Sequence, residues 1–173
     1  HYHAPDASHY SDKGNDTPLT AADLAADVIL KRGLRALTPS IPILSEESAP
    51  GERAKQRRWE EYWLIDPLDG TQEFLDRTGE FTGNVALIRA QKPVLGVLYI
   101  PLERRACVGI PGEQATCYSA HGEGWEMTPL RCRTLREGKP LEVLASHRHR
   151  SRRLHDVLEW LEEHWGEYER SNS

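Results

Sequence analysis

The chain has 173 residues, of which 22 are Lys or Arg and 27 are Asp or Glu, so its formal net charge is -5. This length fits one domain. No apolar run approaches the ~20 residues that a membrane-spanning helix needs, which excludes a transmembrane protein of that kind. An acidic chain is also a poor candidate for sequence-independent nucleic-acid binding, which depends on excess positive charge.

The cysteines and the first residues predict the compartment. Cys107, Cys117 and Cys132 are odd in number and form no Cys-x-x-Cys pair, so they indicate neither a zinc site nor a disulfide framework. Residues 1–6 lack the basic and then apolar pattern of a secretory signal. We therefore expect three reduced thiols in a cytoplasmic protein, with a single regulatory thiol as the alternative.

The predicted elements run from a helix through several strands to a second helix. Thr20 is a good N-cap, the apolar residues Leu24, Val28, Leu34 and Leu37 have helical spacing, and a proline at position 39 ends this helix. The predicted strands are 41–44, 62–65, 84–88, 94–100, 106–110, 115–119 and 141–145. Residues 49–58 are predicted as a loop or short helix, and 154–165 as an amphipathic helix with no strand after it. This order is typical of an α+β or layered α/β fold.

The hexamer at positions 66–71, Asp-Pro-Leu-Asp-Gly-Thr, carries the main functional signal. A buried strand delivers Asp66 and Asp69 into a turn that Pro67 makes stiff, so both carboxylates and the carbonyl of Leu68 can point to one place. Such oxygen ligands favour Mg²⁺ over zinc. A helix that starts at Thr71 offers backbone N–H groups to a phosphate. The alternative is an ordinary turn, since Asp-Pro and Asp-Gly are common turn dipeptides.

Two other acidic positions become informative beside that hexamer. Glu46 follows a short apolar strand and is either part of a solvated loop or a further metal ligand. Asp23 follows Thr20 at capping-box spacing, and is either a cap or the partner of Thr71 in taking a proton from water. The basic run at 147–153 either leads into the last helix as a solvated segment or binds a phosphate or base.

Several segments resemble one family. Positions 63–71, Trp-Leu-Ile-Asp-Pro-Leu-Asp-Gly-Thr, resemble the metal-binding signature of the inositol monophosphatase superfamily of Mg²⁺-dependent, lithium-sensitive phosphatases. Residues 17–23, 44–47, 72–74, 79–82 and 84–87 resemble its 3'(2'),5'-bisphosphate nucleotidase branch. The resemblance implies an enzyme of sulfur assimilation that hydrolyses 3'-phosphoadenosine 5'-phosphate to AMP and phosphate, and also the sulfated analogue. Inositol-1-phosphate and fructose-1,6-bisphosphate phosphatases of the same superfamily are alternatives.

The resemblance also implies the metal ligands. Glu46, Asp66, Asp69 and the carbonyl of Leu68 would coordinate Mg²⁺, with two or three ions in the complete site. Glu46 would in addition take part in catalysis, and Asp69 would also contact the substrate.

The remaining implied roles concern water and substrate. Asp23 and Thr71 would orient the attacking water. The backbone amides of Gly70 and Thr71 would hold the scissile phosphate. Ser146 and His147 would contact the nucleotide. A phosphotransferase with an Asp nucleophile is the rival mechanism, but it uses Asp-x-Asp and the spacing here is Asp-x-x-Asp.

The resemblance finally implies a layered sandwich of the inositol monophosphatase and fructose-1,6-bisphosphatase type. Residues 1–145 would form an N-terminal lobe that carries the metal site, without the family's first helix, and 146–173 the start of a C-terminal lobe. The family's Trp-Asp-x-Ala-Ala-Gly motif, whose Asp is a further ligand, is not in the sequence. The chain would then hold only part of the complete enzyme, and the alternative hypothesis for the chain as given is a catalytically incomplete fragment. We also expect a homodimer and a cytoplasmic location. Peripheral attachment at the inner membrane face is the alternative for the location.

Overall fold

The computed structural model describes residues 2, 10–12, 18–134, 140–145, 151–166 and 168–172. The chain divides into two units, His1–Arg131 and Cys132–Ser173. The predicted lobe boundary at residue 145 concerns the architecture of the family and stays a prediction. Within the described residues, no helix is both long and apolar enough to cross a membrane.

The first unit is built around a seven-stranded sheet. In chain order its elements are β1 (Tyr10–Asp12), β2 (Pro18–Thr20), α1 (Ala21–Leu37), β3 (Ile43–Ser45), α2 (Pro50–Lys55), β4 (Glu61–Asp69), α3 (Thr71–Leu75), β5 (Thr82–Arg89), β6 (Lys92–Ile100), β7 (Arg105–Gly109), β8 (Thr116–His121) and β9 (Gly124–Pro129). The strand order of the sheet is β3-β4-β5-β6-β7-β8-β9, with β3 parallel to β4 and every other pair antiparallel. β1 and β2 form a separate antiparallel pair.

Helix α1 covers one face of this sheet. Its Leu34 packs with Trp63 and Ile65 of β4 in a buried cluster. The indole N–H of Trp63 donates to Thr38 Oγ1 at 2.8 Å, just beyond the end of the helix. Alternate residues of a strand point to opposite faces, so Trp63 and Ile65 face α1 whereas Leu64 and Asp66 face the other side.

The orientation of α1 differs from its apolar pattern. Leu24, Val28 and Leu37 are 49%, 64% and 78% exposed, whereas Asp23 and Asp27 are buried. The helix is therefore present as predicted, but its first half presents carboxylates to the rest of the unit. Polar partners at the ends of β3 and β4 make that arrangement favourable, because buried charges require hydrogen bonds.

The predicted strands are all present, and the differences lie at their edges. β4 continues through the hexamer to Asp69 instead of ending at Ile65, with a register shift between Asp66 and Asp69. An irregularity of this kind tolerates Pro67, which has no N–H for a ladder hydrogen bond. The sequence did not indicate β1, β2 and β9. β1 and β2 have three residues each, and β9 is exposed along its whole length.

The expectation of three reduced thiols is wrong in this structure. Cys107 of β7 and Cys117 of β8 lie directly opposite each other in the antiparallel register, with Cα atoms 4.2 Å apart, and form a disulfide. Cα atoms this close allow the two sulfurs to meet, and a sequence separation of 10 gave no sign of that pairing. Cys132 is a free, exposed thiol.

The second unit contains β10 (Leu141–Ala145), α4 (Arg152–Trp165) and β11 (Tyr168–Asn172). The predicted amphipathic helix is confirmed: Ser151 caps it, and Leu158 is its buried residue. The expectation that no strand follows this helix is wrong, because β11 pairs in parallel with β10. The polar residues of β11 gave no alternating pattern from which a strand could be predicted.

Candidate active site

The hexamer lies where β4 ends. Asp66 pairs with Asn84 of β5, and after the register shift Asp69 pairs with Thr82. The side-chain amide of Asn84 donates to Asp69 Oδ2 at 3.1 Å, so the next strand helps to orient this carboxylate. No sequence pattern indicated a role for Asn84, the residue directly across the sheet from Asp66.

Asp66 carries the strongest electrostatic perturbation in the described part of the chain. The pKa of Asp66 is raised from 3.8 to about 7, first by burial and then by the charge of Glu46, a hydrogen bond with the Glu46 carboxyl and the charge of Asp69. A hydrogen bond from the backbone N–H of Leu68 acts in the opposite direction. Asp66 Oδ1 is buried and has no hydrogen-bond partner. The carboxylates of Glu46 and Asp69 therefore both lie close enough to Asp66 to interact with its charge.

The oxygen atoms of Glu46, Asp66 and Asp69 are the type of ligand that a hard cation such as Mg²⁺ binds. Like charges in a partly buried site repel, and either a proton or a cation relieves that repulsion. The buried oxygen of Asp66 is an unsatisfied acceptor, and such a group in a native structure calls for an explanation such as an ion. As the side chains stand, no group of three or more His, Cys, Asp or Glu among the described residues could hold a metal ion.

Gly70 makes the bend between β4 and α3. Its φ of 88° and ψ of 42° lie in the left-handed region that favours glycine. A Cβ atom at this position would lie 2.7 Å from the backbone oxygen of Glu80. The short helix α3 then starts at Thr71, as predicted, and Phe74 fixes it by packing with Leu68 and Phe81.

Thr71 links the hexamer to helix α1. Its hydroxyl lies 3.2 Å from Asp23 Oδ1 and 3.1 Å from the carbonyl oxygen of Leu68. A hydroxyl has one proton, so Thr71 donates to one of these acceptors at a time. When it donates to Asp23, its own oxygen can accept a hydrogen bond from water.

Asp23 combines the two roles that the sequence left open. Its Oδ2 accepts from the backbone N–H of Thr20 at 2.8 Å, and Thr20 Oγ1 accepts from the backbone N–H of Asp23 at 3.4 Å, which together form a capping box at the start of α1. The Thr20 hydroxyl also donates to Asp23 Oδ2 at 2.5 Å. Its Oδ1 accepts from Thr71. The side chain is 1% exposed, so the cap holds a buried carboxylate in place for the contact with Thr71.

Glu46 lies in the tight turn that follows β3. Its backbone N–H donates to the carbonyl of Ile65 at 2.9 Å, which joins the turn to β4. Ser45 and Ser48, on either side of the acidic pair 46–47, are both buried. The turn places Glu46 beside Asp66, at a neighbouring strand end.

The predicted site residues thus fall into two groups, and the residues within each group interact with one another. One contains Asp23, Thr71 and the carbonyl of Leu68, and the other contains Glu46, Asp66 and Asp69. Ser146 and His147, which the resemblance assigns to the nucleotide, lie outside the described residues.

A cavity of about 780 Å³ adjoins Glu46 and Asp66 on the face of the sheet opposite α1. Its lining includes Leu64, Asn84 and Leu98. The carboxylates stand at one end of an otherwise mainly apolar surface, which is the usual composition of a small-molecule site.

The described residues form a mixed α/β fold in which carboxylates lie at the end of a buried strand. The sequence matches the inositol monophosphatase family over residues 1–166. The chain belongs to the inositol monophosphatase family, and the predicted fold class is confirmed.

Named relatives refine this assignment. The chain is 43% identical over 157 residues to the 3'(2'),5'-bisphosphate nucleotidase CysQ of Salmonella typhimurium, covering 90% of this chain and 59% of that protein. It is 43% identical over 155 residues to the CysQ of Escherichia coli K12, covering 88% and 58%. The crystal structure of CysQ from Bacteroides thetaiotaomicron superimposes with a TM-score of 0.73 at 29% identity, covering 99% of this chain and 65% of that one. The chain therefore spans about three fifths of the length of these curated relatives.

Proposed function

We propose that this protein is a Mg²⁺-dependent phosphatase that removes the 3'-phosphate of 3'-phosphoadenosine 5'-phosphate, giving AMP and phosphate. The 43% identity to proteins named as 3'(2'),5'-bisphosphate nucleotidases supports this substrate class. The observation that carries the proposal is the half-buried Asp66, whose carboxyl interacts with the charges of Glu46 and Asp69 and which is close in sequence to Thr71, the hydrogen-bond partner of Asp23.

Mg²⁺ would be held by Glu46, Asp66, Asp69 and the carbonyl of Leu68, an all-oxygen set of the kind that this ion prefers. When bound, the metal lowers the pKa of water and offsets negative charge on the phosphate. Metal binding and protonation compete at Asp66, because a carboxylate must be deprotonated to act as a ligand and the pKa of this one is raised.

Thr71 and Asp23 would orient the nucleophile. Thr71 donates its proton to Asp23 and presents its oxygen to one hydrogen of the attacking water. The negative charge of Asp23 strengthens this arrangement and favours proton movement away from the water. Thr20 holds Asp23 in one orientation through two hydrogen bonds, which reduces the reorganisation that the step requires.

We assign the scissile phosphate to the backbone amides of Gly70 and Thr71 at the first turn of α3, where exposed N–H dipoles favour an anion. The proposal gives Ser146 and His147 the nucleotide end of the substrate. The mainly apolar lining around Leu64 and Leu98 supports a substrate that carries a ring beside its phosphates.

The proposal is tested by measuring phosphate release from a panel of substrates by the purified protein in Mg²⁺. We expect turnover of 3'-phosphoadenosine 5'-phosphate well above that of inositol 1-phosphate and fructose 1,6-bisphosphate, and inhibition by Li⁺. A preference for inositol 1-phosphate contradicts the assignment. The nucleotidase relatives at 43% identity do not favour these alternatives.

We also propose a cytoplasmic location and a homodimer, supported only by the similarity to bacterial nucleotidases. A cytoplasmic location predicts that the Cys107–Cys117 pair is reduced in the cell, because disulfides persist mainly in oxidising compartments. Cell fractionation with rapid thiol trapping decides the location, and sedimentation of the purified protein decides the oligomeric state.

A further inference from the structure

One buried polar network near the site has no part in the mechanism above. Asp27 lies four residues after Asp23 on α1, so both carboxylates lie on the same side of the helix. Asp27 is 8% exposed and accepts two hydrogen bonds. The hydroxyl of Ser45 donates to its Oδ1 at 2.5 Å, and Lys31 Nζ donates to its Oδ2 at 2.7 Å. Both oxygens of this carboxylate are therefore engaged.

Ser45 connects Asp27 to the turn that carries Glu46. Besides donating to Asp27, the Ser45 hydroxyl accepts from the backbone N–H of Glu47 at 3.1 Å. The backbone of Ser45 is bonded to Ser48 in both directions, through its N–H at 3.1 Å and its carbonyl at 3.0 Å. Ser45 is 1% exposed, so water does not replace these contacts.

We propose that Asp27 and Ser45 are positioning residues that fix the carboxylate of Glu46 for the metal. The inference rests on the proposed function, since it takes Glu46 as a ligand. The backbone of Glu46 is fixed on one side by Ile65 of β4, and its neighbours on both sides are fixed through Ser45. Asp27 sets the orientation of the Ser45 hydroxyl, because a carboxylate can only accept.

The network also explains why α1 carries two buried carboxylates. Asp23 bonds to Thr71 after β4, and Asp27 bonds to Ser45 at the end of β3. One helix thus sets the spacing between the turn of Glu46 and the start of α3. Removing a residue that orients a metal ligand commonly lowers the metal affinity by about 10–100-fold.

The test compares Ser45→Ala with Thr38→Val in the 173-residue chain. Each variant removes one hydroxyl from a hydrogen bond between the region of α1 and a strand of the sheet. The Ser45 hydroxyl bonds to Asp27 in the first half of α1, whereas the Thr38 hydroxyl bonds to Trp63 just beyond the C-terminal end of α1. Two quantities are measured: Mg²⁺ affinity by calorimetry, and exchange of the Glu46 amide by NMR without metal. We expect Ser45→Ala to weaken Mg²⁺ binding about tenfold and to accelerate Glu46 exchange, relative to Thr38→Val.

A second pair separates positioning from general destabilisation. Asp27→Leu removes both acceptor oxygens and keeps the branching of the side chain, whereas Asp27→Asn keeps one carbonyl oxygen for Ser45 and should recover part of the lost affinity. Equal Mg²⁺ affinities for Ser45→Ala and Thr38→Val, or unchanged exchange of the Glu46 amide, overturn the inference. A wild-type chain that binds no Mg²⁺ contradicts the proposed metal site, and amide exchange in the same samples still decides whether Ser45 and Asp27 hold the turn.

Discussion

Gly70→Ala places a methyl group at the bend that joins β4 to α3. The backbone φ of 88° costs a residue with a Cβ atom about 1–2 kcal/mol relative to glycine. The new Cβ would also lie 2.7 Å from the backbone oxygen of Glu80 and 3.3 Å from the Cβ of Phe81. Backbone atoms cannot rotate away as a flexible side chain can, so relieving this contact adds about 1–3 kcal/mol. We expect a total loss of about 2–5 kcal/mol in the free energy of unfolding.

Gly112 offers a matched control for this substitution. It has nearly the same φ, 85°, but no atom lies within 4 Å of a Cβ built there. Gly112→Ala should therefore cost only the conformational part, about 1–2 kcal/mol. Urea denaturation of both variants beside the wild type measures the difference. It isolates the contact with Glu80.

The same substitution should affect the site. Relief of the contact moves the start of α3 and hence the Thr71 hydroxyl relative to Asp23. We expect Gly70→Ala to lose phosphatase activity and Gly112→Ala to keep it under conditions where both are folded. Equal stability and equal activity of the two variants would refute the close approach of Gly70 to the segment before β5.

Three further predictions test the site and the fold. Thr71→Val removes the donor to Asp23 at nearly constant volume, so stability should fall by only about 1 kcal/mol while kcat falls about 10²–10⁴-fold; a kcat within tenfold of wild type contradicts the role. The raised pKa of Asp66 means that the folded chain keeps this proton to a higher pH than the unfolded chain does. In EDTA, the free energy of unfolding of the wild type should therefore fall relative to that of Asp66→Asn as the pH rises from about 4 to about 7, and should change little at higher pH. Parallel stability curves for these two proteins refute the shift. Thiol labelling of the denatured, unreduced protein should modify only Cys132, and labelling after reduction should modify all three cysteines; three labelled thiols before reduction contradict the disulfide.

The features that sequence patterns predicted correctly are local. Thr20 and Asp23 have the spacing of a capping box, and Gly70 before Thr71 marks the start of a short helix; both follow from neighbouring residues. The apolar run before Asp66 indicates a buried strand for the same reason. Such signals need no knowledge of which strands are neighbours.

The features that were missed depend on pairing between distant segments. Asp27 and Ser45 are 18 positions apart in the sequence, and only the placement of β3 beside α1 reveals that the Ser45 hydroxyl donates to Asp27. Cys107 and Cys117 meet because β7 and β8 pair in one particular register, which a shift of one residue would abolish. The apolar pattern of α1 was equally misleading, because the buried side of its first half is defined by carboxylates.

The most direct test of the proposed active site is hydrolysis of 3'-phosphoadenosine 5'-phosphate followed as a function of Mg²⁺ concentration, in wild type and Asp66→Asn. AMP and phosphate are quantified together by chromatography. We expect equal amounts of both products, no turnover in EDTA, and a large loss of activity in Asp66→Asn that added Mg²⁺ does not fully restore. Turnover that persists without divalent metal, or an Asp66→Asn variant with wild-type activity, would contradict the proposed metal site.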